Sequence, residues 1–358
     1  MNLERVSKVF LLCAGLALAS SAFAQSVDST PAGDITASTS PTPLALINGW
    51  YNAPFGTSKA EVEVINGIVH FKGAIGTSGS SQMPFYLPPG FRPSNYVYIA
   101  VDLCNAHNGR LEIHPDGEVY VEAETALSNA QCFTSLDGAS FALNGSGFTA
   151  LTPLNGWAPT GSGLSKPEAK NINGIVYLRG AIHTAGTQNE PFVLPKEFRP
   201  ETYVYAAVDL CNATFGQLDI APSGEVFVEA ENNTWGNAQC FTSLDGVSFA
   251  AKESGFKPLT LLNGWTSEYS PAVSSSHGVV SFQGAIYTSG SSSEPFVLPA
   301  SLRPTTAVYV PVALCDAAYG IAKGRLYIQP SGSVTVQAEN SFSKAQCLTS
   351  LDGASFVK

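Results

Sequence analysis

Hydrophobic and polar residues alternate with a period of two in several segments of the chain, which is typical of β-strands with one buried face. In the segment NGIVHFKGAI, Val69, Phe71 and Ile75 fall on the apolar face. His70 and Lys72 fall on the other face, which we expect to be open. The apolar face of a second segment, YVYIAVDLC, consists of four residues: Val97, Ile99, Val101 and Leu103.

A turn signal separates two further alternating segments. Pro-Asp-Gly at 115–117 combines a fixed φ with a residue that tolerates positive φ, and it predicts a hairpin joining Leu111 and Ile113 to Val119 and Val121. No segment shows a sustained period of 3.6 residues. The patterns therefore predict an all-β protein with antiparallel strands.

The whole series of segments occurs three times. The string NGW recurs at Asn48, Asn155 and Asn263, at intervals of 107 and 108 residues. An interval of this length matches a compact domain and is too long for a solenoid repeat. We therefore predict three tandem antiparallel β-sandwich modules of the jelly-roll kind, with these bounds: 44–143, 151–250 and 259–358. The connections between them are short, so the modules should touch.

The first 43 residues predict export and a tether. Residues 1–24 place Arg5 and Lys8 before an apolar run and end in Ala-Phe-Ala, as in a secretory signal peptide. The run is shorter than the ~20 apolar residues that a membrane span needs. Residues 25–43 are rich in Ser, Thr and Pro and predict a flexible linker. We expect a secreted protein, extracellular or in the cell envelope or periplasm, that does not span the membrane.

The six cysteines that follow the predicted signal peptide fall two to a module. Six cysteines allow 15 connectivities, but one pair in each repeat favours pairing within the repeat. The predicted disulfides are Cys104–Cys132, Cys211–Cys240 and Cys315–Cys347, and each should stabilise its module by about 3–4 kcal/mol.

The second cysteine of each pair belongs to a repeated octapeptide, QCFTSLDG or QCLTSLDG. Its aspartates, Asp137, Asp245 and Asp352, are expected to form Asx-type turns. The five histidines share no position between modules, so neither a metal site nor a cofactor is expected.

Charge and motifs argue against two classes of function. The net charge is −10, which disfavours nucleic-acid binding because that relies on basic side chains. Sequence motifs of hydrolases, zinc proteases and nucleotide-binding enzymes are absent. Asp102 recurs as Asp209 but is replaced by Ala313, and the repeated Glu124, Glu231 and Glu339 have no evident reason to lie beside it. We therefore predict a protein that is not an enzyme.

Aromatic residues supply the candidate ligand site. Trp50, Trp157 and Trp265 follow Asn-Gly in every module and are expected to fill the cores. Positions that differ between modules flank the two ends of each disulfide, on loops where binding residues are often carried. From them we select six candidate ligand-binding residues: Trp235, Phe215, Phe342, Tyr319, Asn233 and Asn340. The alternative is that the rings merely cover the disulfides.

The order of motifs in each module resembles that of a known family. NGW, G-[IV]-V-x-x-x-G-A-I, LP-x-x-x-RP, a P-x-G hairpin and a closing LDG-x-SF are similar to the C-terminal head module of phage tail-fibre and receptor-binding proteins. The resemblance implies β-sandwich heads that assemble as trimers and attach to cell-surface glycans. It therefore implies that the three modules pack around a pseudo-threefold axis.

These observations predict a secreted binding protein, lectin-like or adhesin-like, whose partner is a cell-surface glycan or polysaccharide. Three weak sites on one chain would gain avidity at a surface that presents several ligands. The alternative is a structural protein of the envelope or extracellular matrix without a small ligand.

Overall fold

The structure is a computed structural model that describes residues 39–143, 145–251, 255–318 and 320–358. The described residues all belong to one compact unit. The predicted signal peptide and most of the predicted linker lie outside them. Strands make up 46% of the described residues, and the all-β prediction is confirmed. Among the described residues, no helix has the length and apolar character that crossing a bilayer requires.

The strands are short and follow the three repeats. The first repeat holds β1 (Thr42–Pro43), β2 (Trp50–Asn52), β3 (Glu61–Ile65), β4 (Ile68–Lys72), β5 (Ala74–Thr77), β6 (Phe85–Tyr86), β7 (Val97–Asp102), β8 (Asn108–Ile113), β9 (Glu118–Ala123), β10 (Thr134–Ser135) and β11 (Ser140–Ala142). The second holds β12 (Thr149–Ala150), β13 (Trp157–Pro159), β14 (Glu168–Ile172), β15 (Ile175–Arg179), β16 (Ala181–Thr184), β17 (Phe192–Val193), β18 (Val204–Asp209), β19 (Phe215–Ile220), β20 (Glu225–Ala230), β21 (Thr242–Ser243) and β22 (Ser248–Ala250). The third holds β23 (Lys257–Pro258), β24 (Trp265–Ser276), β25 (Val279–Thr288), β26 (Phe296–Val297), β27 (Val308–Leu314), β28 (Ala322–Ile328), β29 (Ser333–Ala338), β30 (Thr349–Ser350) and β31 (Ser355–Val357).

Short helices complete the elements. One α-helix in each repeat ends at the second cysteine: α1 (Leu127–Cys132), α2 (Trp235–Cys240) and α3 (Phe342–Cys347). Single 3₁₀ turns lie at Pro54–Gly56, Pro89–Phe91, Cys104–Ala106, Lys196–Phe198, Cys211–Ala213, Glu231–Asn233 and Ala300–Leu302. The α-helices are too short to produce an apolar period in the sequence, so the pattern analysis missed them.

The strands of each repeat pair antiparallel, in three sheets in the first and second repeats and in one curled sheet in the third. In the first repeat the strand orders are β1-β3-β4-β11, β10-β5-β2 and β6-β9-β8-β7, and the second repeat has the equivalent orders β12-β14-β15-β22, β13-β16-β21 and β17-β20-β19-β18. In the third repeat β25 spans the counterparts of both β4 and β5, so the same strands join into one nine-stranded sheet. The predicted hairpin is present, with Leu111 paired to Val121 and Ile113 paired to Val119.

A glycine allows the sheet to bend between β4 and β5. Gly73 has a φ of 92°, and a Cβ on it would lie 2.3 Å from the Lys59 carbonyl oxygen. Its amide donates to Asp137 Oδ1 at 2.9 Å. Equivalent bonds join two other pairs, Gly180 with Asp245 and Gly284 with Asp352. The prediction of a local Asx turn at these aspartates is therefore wrong, because each one holds the bend of a distant strand.

Three hydrophobic cores lie within the unit, each built from one repeat. The tryptophans of the NGW motifs fill them as predicted, since Trp50, Trp157 and Trp265 are each 5% exposed. Their indole N–H groups donate to backbone carbonyl oxygens of their own repeat at 2.8–2.9 Å.

Each repeat contains its own disulfide, with the predicted pairing: Cys104–Cys132, Cys211–Cys240 and Cys315–Cys347. The bond joins the end of a long strand to the end of the α-helix. Three disulfides indicate a protein that folds in a non-reducing environment.

The repeats pack around a common axis. The equivalent strands β7, β18 and β27 contact one another pairwise, which gives the unit pseudo-threefold symmetry. The loop that ends each octapeptide lies on another repeat. Ser135 Oγ donates to the Tyr309 carbonyl at 2.6 Å, and Ser243 Oγ donates to the Tyr98 carbonyl at 2.7 Å. The repeated octapeptide therefore carries a disulfide cysteine of its own repeat and also contacts a neighbouring repeat.

The strand faces that were predicted to be exposed to solvent are covered by neighbouring repeats. Lys323 and Arg325 of the third repeat bind Asp102 of the first. Arg110 of the first repeat binds Asp209 of the second at 3.2 Å.

The remaining interface, between the second and third repeats, carries an apolar cluster in place of these ion pairs. Phe215 packs with Ala313 and Ile321 in a small buried cluster. The three interfaces are thus chemically different although the repeats are similar.

Candidate functional site

A half-open cavity of about 110 Å³ lies between the first and third repeats. We call it the aromatic cleft, and its walls are Phe55, Cys104, Asn105, Phe133, Tyr309 and Arg325. The disulfide of the first repeat ends in it at Cys104, so the cleft is anchored to a rigid part of the scaffold.

Phe55 is the most exposed large hydrophobic side chain among the described residues, with 64% of its surface accessible. It lies in a 3₁₀ turn with a φ of 54°, a left-handed conformation that non-glycine residues rarely adopt. The turn is held by the third repeat, because the Gly56 carbonyl accepts from the Ala307 amide at 3.1 Å. Ser58 and Thr306 also join their hydroxyl groups at 2.6 Å. The exposure of Phe55 is therefore fixed by the fold.

Aromatic rings and an arginine form the floor of the aromatic cleft. Phe133 meets Tyr309 edge to face with centroids 5.0 Å apart, and Tyr309 stacks on Tyr327 at 4.7 Å. The Arg325 guanidinium lies 4.8 Å from the centre of the Tyr309 ring. Burial raises the pKa of Tyr309 to about 12, so its hydroxyl remains a neutral donor and acceptor. Such a surface offers flat apolar contact beside fixed polar groups.

The two equivalent interfaces carry other aromatic sets. Between the second and first repeats, Phe241 meets Tyr98 at 5.1 Å, and Arg110 lies over the Tyr98 ring at 4.8 Å. Between the third and second repeats, Tyr269 stacks on Tyr203 at 6.1 Å. The repeats therefore supply related but unequal surfaces, and the exposed Phe55 belongs to the first alone.

The six candidate ligand-binding residues predicted from the sequence lie in different environments in the structure. Trp235 and Phe342 are partly buried and meet the core tryptophans Trp157 and Trp265 edge to face, at 5.9 and 6.3 Å. Phe215 is 1% exposed in its apolar cluster with Ala313 and Ile321, so the prediction that it contacts a ligand is wrong. Tyr319 lies outside the described residues.

The two predicted asparagines do come together. Asn233 and Asn340 are exposed and line a cavity of about 220 Å³ between the second and third repeats. Glu231 and Lys344 also line it, and Lys344 Nζ donates to the Gly320 carbonyl at 2.8 Å. We call this the polar cleft. Unlike the aromatic cleft it has no aromatic ring in its walls among the described residues.

The repeated glutamates interact across the repeats. Burial, together with the carboxylates of Glu124 and Glu339, raises the pKa of Glu231 to about 8. Burial and the Glu339 carboxylate raise the pKa of Glu124 to about 7. Glu339 also pairs with His107 of the first repeat at 2.6 Å. This approach of the glutamates was not expected from the sequence, because it depends on the packing of the repeats.

One group among the described residues has the spacing of a metal site. His114, Asp116 and Glu118 can place ligand atoms within 4.8 Å of one another on the first hairpin. His114 Nε2 already bonds Glu112 at 2.9 Å, and all these groups lie at the surface or half-buried. The arrangement is an ordinary polar hairpin and does not by itself indicate a bound ion.

Comparisons with protein-family models, with characterised proteins and with solved structures found no match to this chain. The resemblance to tail-fibre heads therefore rests on the repeated motifs alone.

Proposed function

We propose that this protein is a secreted, non-catalytic binding protein, lectin-like or adhesin-like, that attaches to cell-surface glycans through the aromatic cleft. The observation that carries the proposal is Phe55, an exposed ring fixed in a left-handed turn beside Tyr309, Arg325 and Asn105. Strained and exposed residues of this kind concentrate at binding sites. The disulfides, which need a non-reducing environment, support secretion.

The chemistry of the cleft suits a sugar. The C–H face of a pyranose gains contact area against a flat ring, while its hydroxyl groups need fixed polar partners. Arg325 is held in place because its Nε donates to Gln337 at 2.6 Å and its Nη1 donates to Asp102 at 2.9 Å. The cleft is small, so it fits one terminal sugar unit, and the neighbouring aromatic surfaces would extend the contact.

A glycan array with the full secreted chain tests the proposal. We expect binding to at least one class of glycan, and a loss of about fivefold in affinity for Phe55→Ala, since a stacked ring contributes on the order of 1 kcal/mol. The matched control is Tyr86→Ala, because Tyr86 is 45% exposed on the same repeat outside the cleft.

The outcomes separate the site from the function. Glycan binding that Phe55→Ala leaves unchanged would assign the ligand to another surface, and the polar cleft with Asn233 and Asn340 would be examined next. The absence of any glycan binding would favour the alternative of a structural envelope or matrix protein.

A further inference from the structure

Two of the three interfaces between repeats hold a guanidinium group over a tyrosine ring. Arg325 lies 4.8 Å from the ring centre of Tyr309, and Arg110 lies 4.8 Å from that of Tyr98. In each case the arginine belongs to the strand that pairs with the strand of the tyrosine. These two interfaces therefore carry a cation of their own on an aromatic ring that meets the neighbouring repeat.

The third interface lacks that cation. Tyr205 is the equivalent of Tyr98 and Tyr309, but Gln217 occupies the position of the two arginines. Among the described residues, no lysine or arginine lies over the Tyr205 ring. The Gln217 side chain is 0% exposed, and its Nε2 donates to Asp219 Oδ1 at 2.6 Å. Its Oε1 has no hydrogen-bond partner among the described residues, so a buried polar oxygen remains unpaired beside Asp219.

Carboxyl groups gather at the same interface. Asp316 takes the position of Asn105, which lines the aromatic cleft, and Asp219 lies across the strand pair from Tyr205. Burial, together with the carboxylates of Glu229 and Asp316, raises the pKa of Asp219 to about 7. Within the described part of the chain, no lysine or arginine offsets the charge of Asp219 or Glu229. A bound cation would relieve the repulsion between these groups.

Three tyrosine rings meet beside the carboxyl groups. Tyr203, Tyr205 and Tyr269 have ring centroids 6.1–6.5 Å apart and planes within 33° of parallel. Burial, the neighbouring Tyr269 and the carboxylates of Asp219 and Asp316 raise the pKa of Tyr205, so the acidic groups lie close to this ring. Tyr203 is 42% exposed, and the rings are therefore accessible from solvent. We call these three residues the tyrosine surface.

The arrangement favours an organic cation over a metal ion. Among the described residues, the carboxyl groups at this interface do not bring three ligand atoms together as a metal ion requires. Aromatic faces attract cations, and alkyl groups on the cation gain contact area against the rings. We propose that the tyrosine surface binds an alkylammonium cation, with Asp219 and Asp316 supplying the opposite charge. This site is separate from the aromatic cleft and does not depend on glycan binding there.

Choline and dimethylbutanol are the probes, because a tert-butyl group replaces the trimethylammonium group and the two compounds differ mainly in charge. Calorimetric titration of the full chain, with the tyrosine ring signals followed by NMR, should show choline binding at least about tenfold tighter than dimethylbutanol. Asp219→Asn keeps the size of the side chain and removes its charge. It should weaken choline binding by about fivefold or more and leave the binding of dimethylbutanol unchanged.

Two further variants test the position of the site. Gln217→Arg restores the arginine of the other interfaces, with Glu229 in the place of Glu122, and its guanidinium should occupy the tyrosine surface and abolish choline binding. Tyr203→Ala should weaken choline binding even if Gln217→Arg does not fold. Glu225→Gln removes an exposed carboxylate elsewhere on the same repeat and should leave binding unchanged.

Three results would overturn the proposal. They are equal affinities for choline and dimethylbutanol, no binding of choline at millimolar concentration, and choline binding that persists in both Gln217→Arg and Tyr203→Ala.

Discussion

Lys323 Nζ donates to Asp102 Oδ1 at 3.0 Å, although 221 residues separate them and neither side chain is exposed to solvent. The pair joins the third repeat to the first. At the equivalent positions of the other interfaces, Asp209 pairs with Arg110 and Ala313 packs on Phe215. A mismatched pairing of repeats would bury a lone charge, so these differences specify which repeat contacts which.

Asp102→Ala should lower the free energy of unfolding by roughly 3–5 kcal/mol, because it leaves the Lys323 ammonium buried without its counter-charge. Chemical denaturation followed by circular dichroism measures the change. Asp116→Ala, at an exposed aspartate of the same repeat, should change stability by less than about 0.5 kcal/mol.

The double variant Asp102→Ala with Lys323→Phe should recover most of that loss, because it reproduces the Ala313–Phe215 combination of the neighbouring interface. A double variant no more stable than Asp102→Ala alone would show that the three interfaces are not interchangeable in chemistry.

Stability should fall as the pH rises through the range in which Glu231 ionises. Its pKa is raised from 4.5 to about 8 in the folded state by burial. Below about pH 4.5 Glu231 is protonated in both the folded and the unfolded state, so its burial does not reduce the free energy of unfolding. Between about pH 4.5 and 8 the unfolded state loses the proton first, and the free energy of unfolding decreases. Glu231→Gln should match the wild type at pH 4 and exceed it in melting temperature at pH 9.

Thermal melts at a series of pH values test this prediction, with Glu225→Gln as the control because Glu225 is exposed in the same repeat. If the difference between Glu231→Gln and the wild type did not grow with pH, Glu231 would not be buried near the other glutamates.

Gly73→Ala should destabilise the first repeat strongly. The new Cβ would lie 2.3 Å from the Lys59 carbonyl, at a φ of 92° that alanine rarely adopts, and strain of this kind costs roughly 1–3 kcal/mol before the backbone shifts. Gly90→Ala is the matched control, since a Cβ there meets nothing within 4 Å. Equal melting temperatures for the two variants would contradict the bend between β4 and β5.

Trp235→Ala should lower the free energy of unfolding, whereas Phe55→Ala should leave it nearly unchanged. Trp235 packs on the core tryptophan Trp157, so its loss should reduce the free energy of unfolding by roughly 1–3 kcal/mol. Phe55 is mostly exposed, so its loss should change stability by less than about 0.5 kcal/mol. Denaturant titrations of both variants measure the change. A Trp235→Ala protein as stable as the wild type would show that Trp235 does not contribute to core packing.

Features that depend on local alternation or on repetition were predictable from the sequence. The pairing of Leu111 with Val121 follows from the Pro-Asp-Gly turn, and the burial of Trp50 follows from the repeated tryptophan after each Asn-Gly turn. The disulfides follow from two cysteines in each repeat. All of these belong to a single repeat.

Features formed between repeats were not predictable in the same way. Phe215 was predicted to lie on a loop. The only sequence signal for its burial is Ala313 of the facing repeat, which replaces the aspartate of the other repeats and leaves room for the ring. Phe55 was missed because its Ala-Pro-Phe-Gly turn reveals a bend but not how much of the ring remains exposed. His70 was assigned to an open face because alternation cannot show that two other repeats cover it.

The hydrogen bonds from Ser135 to Tyr309 and from Ser243 to Tyr98 join different repeats, and this affects the cooperativity of unfolding. A repeat that opens breaks the interfaces on both of its sides, so its unfolding also exposes surface on both neighbours. The free energy of opening any one repeat then approaches that of opening all three, and calorimetry should record a single transition whose van't Hoff and calorimetric enthalpies agree. Amide hydrogens at the centre of β7, β18 and β27 would exchange at one common, slow rate, although they belong to three separately stapled cores.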